Sequence, residues 1–473
     1  MESRELMDDK LKEACGVFGI YSSHEDAALS RTVYYGLYAL QHRGQESAGI
    51  AATSGKGIDY HKGLGLVSEV FDDGILDKLK GHIAIGHVRY STTGSNTLIN
   101  AQPLVVKYKN GSLAVAHNGN LVNALEIRKE LEEDGAIFQT TVDSEVIAFL
   151  IAREPSGDIV KAARSCMKKI KGSYALIIMT EDSLIGIRDP KGIRPLCLGK
   201  YNGSHVLASE TCALDTVGAE FIRDIEPGEI VIINKDGVRS VMTKNEPGSS
   251  LCIFEFVYFA RPDSTIDGMN IHMSRWEAGR QLALEHPADA DLVIGVPDSG
   301  TVSAMGYAET SGIPFGIGLI KNRYIGRTFI QPSQESRVLG VKLKLNAMKE
   351  VIKGKRLVMV DDSIVRGTTS GQIVKMLKDA GAKEVHVRIS SPPIKYSCYF
   401  GIDTSTQKEL IGARQQVEEI RKFIGADSLG YLSLEGLLKS TGLPAAKFCT
   451  GCFCGTYPME VPQEGKKYLF EKR

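Results

Sequence analysis

The stretch LVMVDDSIVRGTTSG, Leu357 to Gly371, sets two adjacent carboxylates, Asp361 and Asp362, behind four apolar residues and ahead of the run Gly367, Thr368 and Thr369. Four apolar residues bounded in this way predict a buried strand. Successive strand side chains point to opposite faces, but at the strand's end the backbone turns and both carboxylates reach one ligand. Carboxylates suit sugar hydroxyls and a hard cation such as Mg2+. The free N–H groups of a helix opening at Thr368 suit a phosphate monoester. A phosphorylated ribose has both needs. A second stretch, VPDSG from Val296 to Gly300, again ends a strand and opens a helix, with residues small enough to bring the backbone of Asp298, Ser299 and Gly300 close to an anion. Between the two lies KNRYIGRTFIQPSQESR, Lys321 to Arg337, basic and broken by Gly326 and Pro332. It predicts a mobile lid that folds over a highly charged substrate and excludes water.

The first half carries a nucleophile. In EACGVFGI, Glu13 to Ile20, a cysteine follows a leader of fourteen residues. Cleavage between Ala14 and Cys15 would give Cys15 a free α-amino group, whose ordinary pKa is roughly 7.7 to 8.0. That amine serves as the base for its own thiol, and the leader masks it until processing. HVRYSTTG, His87 to Gly94, places Arg89 near small hydroxyls. AHNGN, Ala116 to Asn120, reads as a strand followed by a tight turn. That turn would expose the Asn118 amide and the Gly119 N–H as two donors of an oxyanion hole. TVDSE offers Asp143 at a helix start. His87 and His117 read as hydrogen-bonded structural imidazoles.

The elements that position these residues follow two rhythms. From Gly16 to about Asn245, short Val- and Ile-rich runs such as GVFGIY, HIAIGHV and YALIIMT alternate with helical patterns over Glu25–Gln41 and Asp143–Arg153, an α+β domain. KNEPGSS, Lys244 to Ser250, reads as a linker. Beyond it, strand–turn–helix units predict an α/β domain with a parallel doubly wound sheet and a ligand site at the carboxyl ends of its strands. The expected divisions are a leader over 1–14, a first domain over 15–245 and a second over 246–473, whose last segment from Ser428 reads as irregular.

The chain has 473 residues, with Lys+Arg 57 against Asp+Glu 57, so it lacks the basic surplus of a nucleic-acid or anionic-membrane partner. No apolar run approaches the roughly 20 residues of a membrane span, and the chain is expected to be cytoplasmic. There disulfides are rare, so the nine cysteines are expected to serve metal binding, catalysis or burial. Cys166, Cys197 and Cys212 lie in apolar runs and are assigned to packing, as is Trp276, the one tryptophan. Cys449 and Cys452 form a C-x-x-C. With Cys252 and Cys398 they make four thiolates, enough for a [4Fe–4S] cluster; zinc competes, and Cys454 is surplus.

The Asp361–Asp362 motif resembles the signature of the type I phosphoribosyltransferases, which use 5-phosphoribosyl-1-pyrophosphate. That resemblance implies that Ser363, Arg366, Gly367, Thr368 and Thr369 hold the 5-phosphate, and that Asp361 and Asp362 contact the ribose and Mg2+. Asp298, Ser299 and Gly300 would grip the pyrophosphate, Ser299 also helping to hold Mg2+. CGVFGI, QHRGQESAG (Gln41 to Gly49), HVRYSTTG, AHNGN and TVDSE together resemble the glutamine-hydrolysing, αββα-layered domain of the N-terminal-nucleophile amidotransferases. This implies attack by Cys15 on the glutamine carboxamide, an oxyanion held by Asn118 and Gly119, Arg89 on the α-carboxylate, Asp143 on the α-ammonium, and Thr92 as a further contact.

The two resemblances cover nearly the whole chain. They identify it with the glutamine phosphoribosylpyrophosphate amidotransferase family, in its iron–sulfur form with a propeptide. A [4Fe–4S] cluster on Cys252, Cys398, Cys449 and Cys452, Mg2+, feedback by purine nucleotides and a homotetramer are what this implies. Glutaminases joined to other acceptors, as in glucosamine-phosphate or asparagine synthesis, have no need of the Asp361–Asp362 strand end. A non-enzymatic sensor of ribosyl nucleotides would have no need of Cys15 or a removable leader.

Overall fold

The computed structural model describes residues 15–23, 29–91, 93–243, 248–322, 345–402 and 407–462. The leader 1–14, Thr92, the first four linker residues and all but the first two residues of the basic segment Lys321–Arg337 lie outside the described residues.

The first half is built on two antiparallel sheets. One runs Glu220–Asp224, Cys197–Tyr201, Ser204–Ala208, Gly16–Tyr21, Ile83–Arg89, Ser47–Thr53, Asp59–Leu64; the other runs Gly237–Met242, Glu229–Asn234, Leu184–Arg188, Gly172–Met179, Gly111–Leu121, Leu104–Tyr108. The alternation within GVFGIY decides where its side chains go. Val17 and Tyr21 enter the core between the sheets with Ile85, Ala116 and Ile177, whereas Phe18 and Ile20 enter the core under the helix Leu29–Ala39. The glycines in that run are where neighbours come closest: a Cβ at Gly19 would stand 2.9 Å from Ile177 of the other sheet. The outer face of the second sheet is covered by Ala124–Glu133, Ser144–Ala152 and Ile159–Lys169.

The second half holds a parallel sheet in the order Leu292–Gly295, Arg356–Asp361, Glu384–Ile389, Ser428–Tyr431. After Leu292–Gly295 the chain first crosses to one side, where Phe315 bridges Val293 in parallel, and then to the other side at Arg356–Asp361. Ligands of open α/β sheets bind where the strand order reverses in this way. Helices cover both faces, Ile271–Glu285 on one and Thr368–Asp379 with Val417–Ile424 on the other.

Two expectations change. The segment from Ser428 is not irregular: it adds the fourth strand and the helix Leu434–Ser440, whose cap Ser433 accepts from the Gly436 N–H at 2.9 Å. Elements of four and seven residues take their stability from packing and give little periodic signal. Nor is AHNGN a strand followed by a tight turn. The strand runs through Asn118, Gly119 and Asn120 to Leu121, paired with Gly172–Met179. The Asn-Gly pair, usually a turn signal, serves a close approach instead: a Cβ at Gly119 would lie 2.1 Å from the Ser173 carbonyl oxygen. Trp276 is only half-buried. Its indole N–H donates to Glu309 at 2.7 Å, tying Ile271–Glu285 to Ser299–Ser311.

Candidate active sites

Cys15 opens the strand Gly16–Tyr21 and is buried, its thiol donating to the Tyr90 carbonyl at 3.4 Å. Burial pushes the thiol above its ordinary pKa; the Arg89 charge opposes this, and Asp143 and Glu46 add to it. Cys15, Arg89 and Asp143 are therefore brought together. Arg89 ends its strand, and its guanidinium donates to the carbonyls of Ser95 (3.1 Å) and Thr93 (3.0 Å), acceptors that orient it without cancelling its charge. Asp143 does not cap the helix Ser144–Ala152 that it precedes. Its Oδ2 instead accepts from the Leu121 N–H at 2.8 Å, at the end of the strand that carries Asn118 and Gly119. Asn118 is fully buried, and among the described residues neither its Nδ2 nor its Oδ1 has a hydrogen-bond partner. Buried side-chain amides are nearly always paired. Asn118 is an exception.

The imidazoles beside this pocket are tied to protein. His87 Nε2 bonds the His117 carbonyl at 3.0 Å, and burial pushes its pKa down to about 3. His117 Nδ1 bonds Ser144 Oγ at 2.9 Å, and burial lowers it too.

In the second half Asp361 and Asp362 are buried at the end of the strand Arg356–Asp361. Asp362 accepts from the hydroxyls of Ser299 and Ser363, the latter at 2.6 Å, and its N–H donates to Asp361 Oδ1 at 2.9 Å. The two motifs thus meet at one carboxylate. Gly300 permits it: a Cβ there would stand 2.4 Å from the Val360 carbonyl oxygen and 3.0 Å from Asp361 Cα. Gly367, at φ +83° in the left-handed region, caps the helix Thr368–Asp379 without a side-chain bond, and Thr368 is exposed at its opening turn. Two expected contacts lie outside this cluster. Asp298 is exposed and pairs with Lys321 at 2.8 Å, and Arg366 pairs with Glu409 at 3.2 Å.

Residues 87–216 match the family of glutamine amidotransferase domains, and residues 271–390 that of phosphoribosyl transferase domains. The chain is 54% identical over 459 residues to the amidophosphoribosyltransferase of Bacillus subtilis, covering 96% of each chain. It belongs to the amidophosphoribosyltransferase family. The amidophosphoribosyltransferase of Methanocaldococcus jannaschii is 53% identical, over 94% of this chain and 98% of that one. A solved structure of the allosteric regulatory enzyme of purine biosynthesis superposes with TM-score 0.91 at 53% identity, over 95% of this chain and 97% of that one. The Bacillus subtilis glutamine phosphoribosylpyrophosphate amidotransferase complexed with ADP and GMP superposes with TM-score 0.90 at 53% identity, over 95% and 98%. As a member of this family, the chain is a glutamine-dependent phosphoribosyltransferase of the first step of de novo purine biosynthesis.

This amidophosphoribosyltransferase family member also gathers four of its cysteines. Cys252 and Cys449 lie opposite each other on the paired strands Leu251–Cys252 and Phe448–Cys449, Cys452 sits on the short helix that follows, and the Cys398 sulfur accepts from the Phe400 N–H at 3.3 Å. Burial raises all four thiols, Cys252 to about 12, and Cys452 is raised further by the other three. Among the described residues, no group of three or more His, Cys, Asp or Glu side chains has a geometry that would hold a metal ion. Cys454 is exposed beside Thr450, while Cys166, Cys197 and Cys212 are buried in the apolar cores.

Sequence reasoning gave no role to Glu46, Arg43, Glu210, Glu255 or Arg275. Glu46 accepts from the Ser91 N–H at 2.8 Å and acts on Cys15. Arg275, buried and pushed down to about 10 by desolvation, donates to the carbonyls of Phe256 and Ala260 and feels the charge of Asp362. Glu255 did leave a signal. It is the one charge in the apolar run LCIFEFVYFA, and an acid in such surroundings is buried only when paired.

Among the described residues, no helix is long and apolar enough to cross a membrane.

Proposed function

We propose that the chain hydrolyses glutamine in a domain over 15–245 and delivers the ammonia to phosphoribosyl pyrophosphate in a domain over 246–473, yielding 5-phosphoribosylamine, pyrophosphate and glutamate. The first domain is read as an αββα N-terminal-nucleophile fold and the second as a doubly wound type I phosphoribosyltransferase. The observation that carries the reading is the buried, unpartnered amide of Asn118 on a strand tied through Leu121 to Asp143, which with Arg89 surrounds Cys15.

Removal of residues 1–14 frees the α-amino group of Cys15. The amine takes the thiol proton, and the sulfur attacks the carboxamide carbon. Asn118 and Gly119 hold the resulting oxyanion, and the proton returns to the departing ammonia. Water then releases glutamate from the thioester. Arg89 binds the substrate α-carboxylate bidentately, Asp143 its α-ammonium, and Thr92 adds a contact. With its amine still acylated by the leader, Cys15 keeps only a thiol raised by burial.

Ammonia in bulk water near neutral pH is mostly protonated and not nucleophilic, so transfer needs a dry route between the sites. The apolar cluster that joins Ile193 and Val122 of the first half to Phe254, Phe256 and Phe400 of the second supports such a route. Asp361, Asp362 and Ser299 would hold Mg2+. Their oxygens are the hard donors this cation prefers, and when bound it would neutralise pyrophosphate charge. Ser363, Arg366, Gly367, Thr368 and Thr369 take the 5-phosphate, and Asp298 and Gly300 border the pyrophosphate.

Cys252, Cys398, Cys449 and Cys452 would hold a [4Fe–4S] cluster of structural role. Cys252 and Cys452 are buried and Cys398 and Cys449 half-buried, the four lie within electrostatic reach of one another, and soft thiolate donors of this number suit such a cluster by their chemistry. The relative solved with ADP and GMP supports purine nucleotides as regulators here; a homotetramer is the assembly that the family resemblance implies.

The N-terminal residue of the active enzyme tests this reading. Intact mass and N-terminal sequencing should find Cys15 first in material that uses glutamine. Material that retains the leader should release pyrophosphate with ammonia alone. Glutamine turnover by chains that still begin at Met1 or Glu2 would refute it.

A further inference from the structure

Between the two halves lies a fully buried set of charges that the reaction described above does not use. Arg43 follows the helix Leu29–Ala39, and its Nε donates to the Cys15 carbonyl at 3.0 Å. The other edge of the same guanidinium grips Glu255, on the short helix Glu255–Phe259 of the second half, as a fork: Nη1 to Oε2 at 2.9 Å and Nη2 to Oε1 at 2.8 Å. Arg43 also pairs with Glu210, which accepts from His42 (2.8 Å) and Ser264 (2.7 Å).

Glu255 has a second arginine. Arg194 Nη1 donates to Oε1 at 2.9 Å, while Arg194 Nη2 and Nε donate to the Phe400 carbonyl at 2.8 and 3.2 Å. The segment Tyr399–Gly401 lies directly on the strand of Asn118 and Gly119. Asn120 Nδ2 donates to the Tyr399 carbonyl at 2.9 Å, Ser173 Oγ donates to the Phe400 carbonyl at 2.8 Å, and a Cβ at Gly401 would stand 3.1 Å from the Gly119 carbonyl carbon.

We propose that Glu255 is a positioning residue for glutamine hydrolysis. Through Arg43 it fixes the backbone of the nucleophile Cys15, and through Arg194 and the Tyr399–Gly401 segment it seats the strand of Asn118 and Gly119. This rests on the roles given to those residues under the proposed function. One carboxylate from the synthase half thereby sets both the attacking sulfur and the oxyanion donors of the glutaminase half. Charge-assisted forks of this kind fix orientation as well as proximity. Small displacements of reacting groups cost rate steeply, whereas affinity for glutamine depends on Arg89 and Asp143, which Glu255 does not touch.

The test compares the full chain with Glu255→Gln, Glu255→Asp and Gly401→Ala. For each, glutamine hydrolysis is resolved into kcat and KM, and pyrophosphate release is measured with ammonia. Glu255→Gln is expected to lower the glutaminase kcat about tenfold or more and to change KM for glutamine by less than about threefold, while sparing the ammonia-dependent reaction. Glu255→Asp should recover part of the loss. Equal loss of the glutamine- and ammonia-dependent activities, or an unchanged glutaminase kcat, overturns the proposal. If Glu255→Gln does not fold, Gly401→Ala decides, because Gly401 lies at φ +92°, where a side chain strains the segment, and the added methyl presses on Gly119 and on Arg194 Nη2, 3.0 Å away. A selective loss of glutaminase kcat supports the proposal, and a parallel or absent loss overturns it. Cys15→Ala separates the two levels. Glutamine use by that variant would overturn the reading of Cys15, whereas a dead Cys15→Ala beside wild-type behaviour of the other variants would overturn the positioning role alone.

Discussion

Ser299 donates its hydroxyl to Asp362, so the loops leaving two neighbouring parallel strands meet at one buried carboxylate. Asp362→Asn keeps the shape of that junction and removes its charge. With the proposed role of this charge at the ribosyl end of the reaction, pyrophosphate release should fall by about a hundredfold or more whether glutamine or ammonia supplies the nitrogen. Steady-state rates with each donor check this. A defect confined to the glutamine reaction would contradict it.

Asn118 gives a prediction in which stability and activity move apart. Its amide is buried with both polar atoms unpartnered in the described structure, so its desolvation is not compensated by hydrogen bonds to the described residues. Asn118→Ala should leave the melting temperature unchanged or raised, and should lower glutamine hydrolysis by about a hundredfold or more, as for loss of an oxyanion donor. Thermal unfolding and glutaminase assays on one preparation are sufficient. A large drop in melting temperature would mean that Asn118 is a structural residue.

The contrast between Asp361–Asp362 and Asn118 explains what the sequence revealed. The strand end and the loop that follows it are local: strand, carboxylates and helix opening lie within fifteen residues, and each element announces itself by apolar pattern or glycine. Asn118–Gly119 resembled a turn because Asn-Gly usually makes one, and only the approach of Ser173, more than fifty residues away, shows why the glycine continues a strand. The ties from Arg43 to Glu255 and from Arg194 to Phe400 span 212 and 206 residues. No spacing rule reaches that far, although the lone acid in LCIFEFVYFA did advertise a buried pair.

His87 predicts a pH dependence of stability. Its folded pKa is pushed down to about 3 by burial, whereas an unfolded histidine titrates near 6.5. Between those values the unfolded chain binds more protons, so stability rises with pH across this window and is lost as the pH falls through it. The slope from this group is on the order of 1 kcal/mol per pH unit. The melting temperature of His87→Gln should therefore fall less steeply than that of wild type between about pH 6.5 and pH 4. Parallel curves for the two proteins would contradict the assignment.

The cysteine nest predicts colour. Protein purified without air should be brown, should contain iron and acid-labile sulfide, and should bleach on exposure to oxygen; Cys452→Ser should be isolated colourless and less stable. Stoichiometric zinc in a colourless wild-type protein would replace the cluster reading with a zinc site.

The most direct test of the whole scheme is the partition of activity in Cys15→Ala, measured as pyrophosphate release from phosphoribosyl pyrophosphate with glutamine and, separately, with ammonia. Two coupled sites predict no turnover with glutamine and a rate near that of wild type with ammonia. Turnover with glutamine, or loss of both reactions in a folded protein, would contradict it.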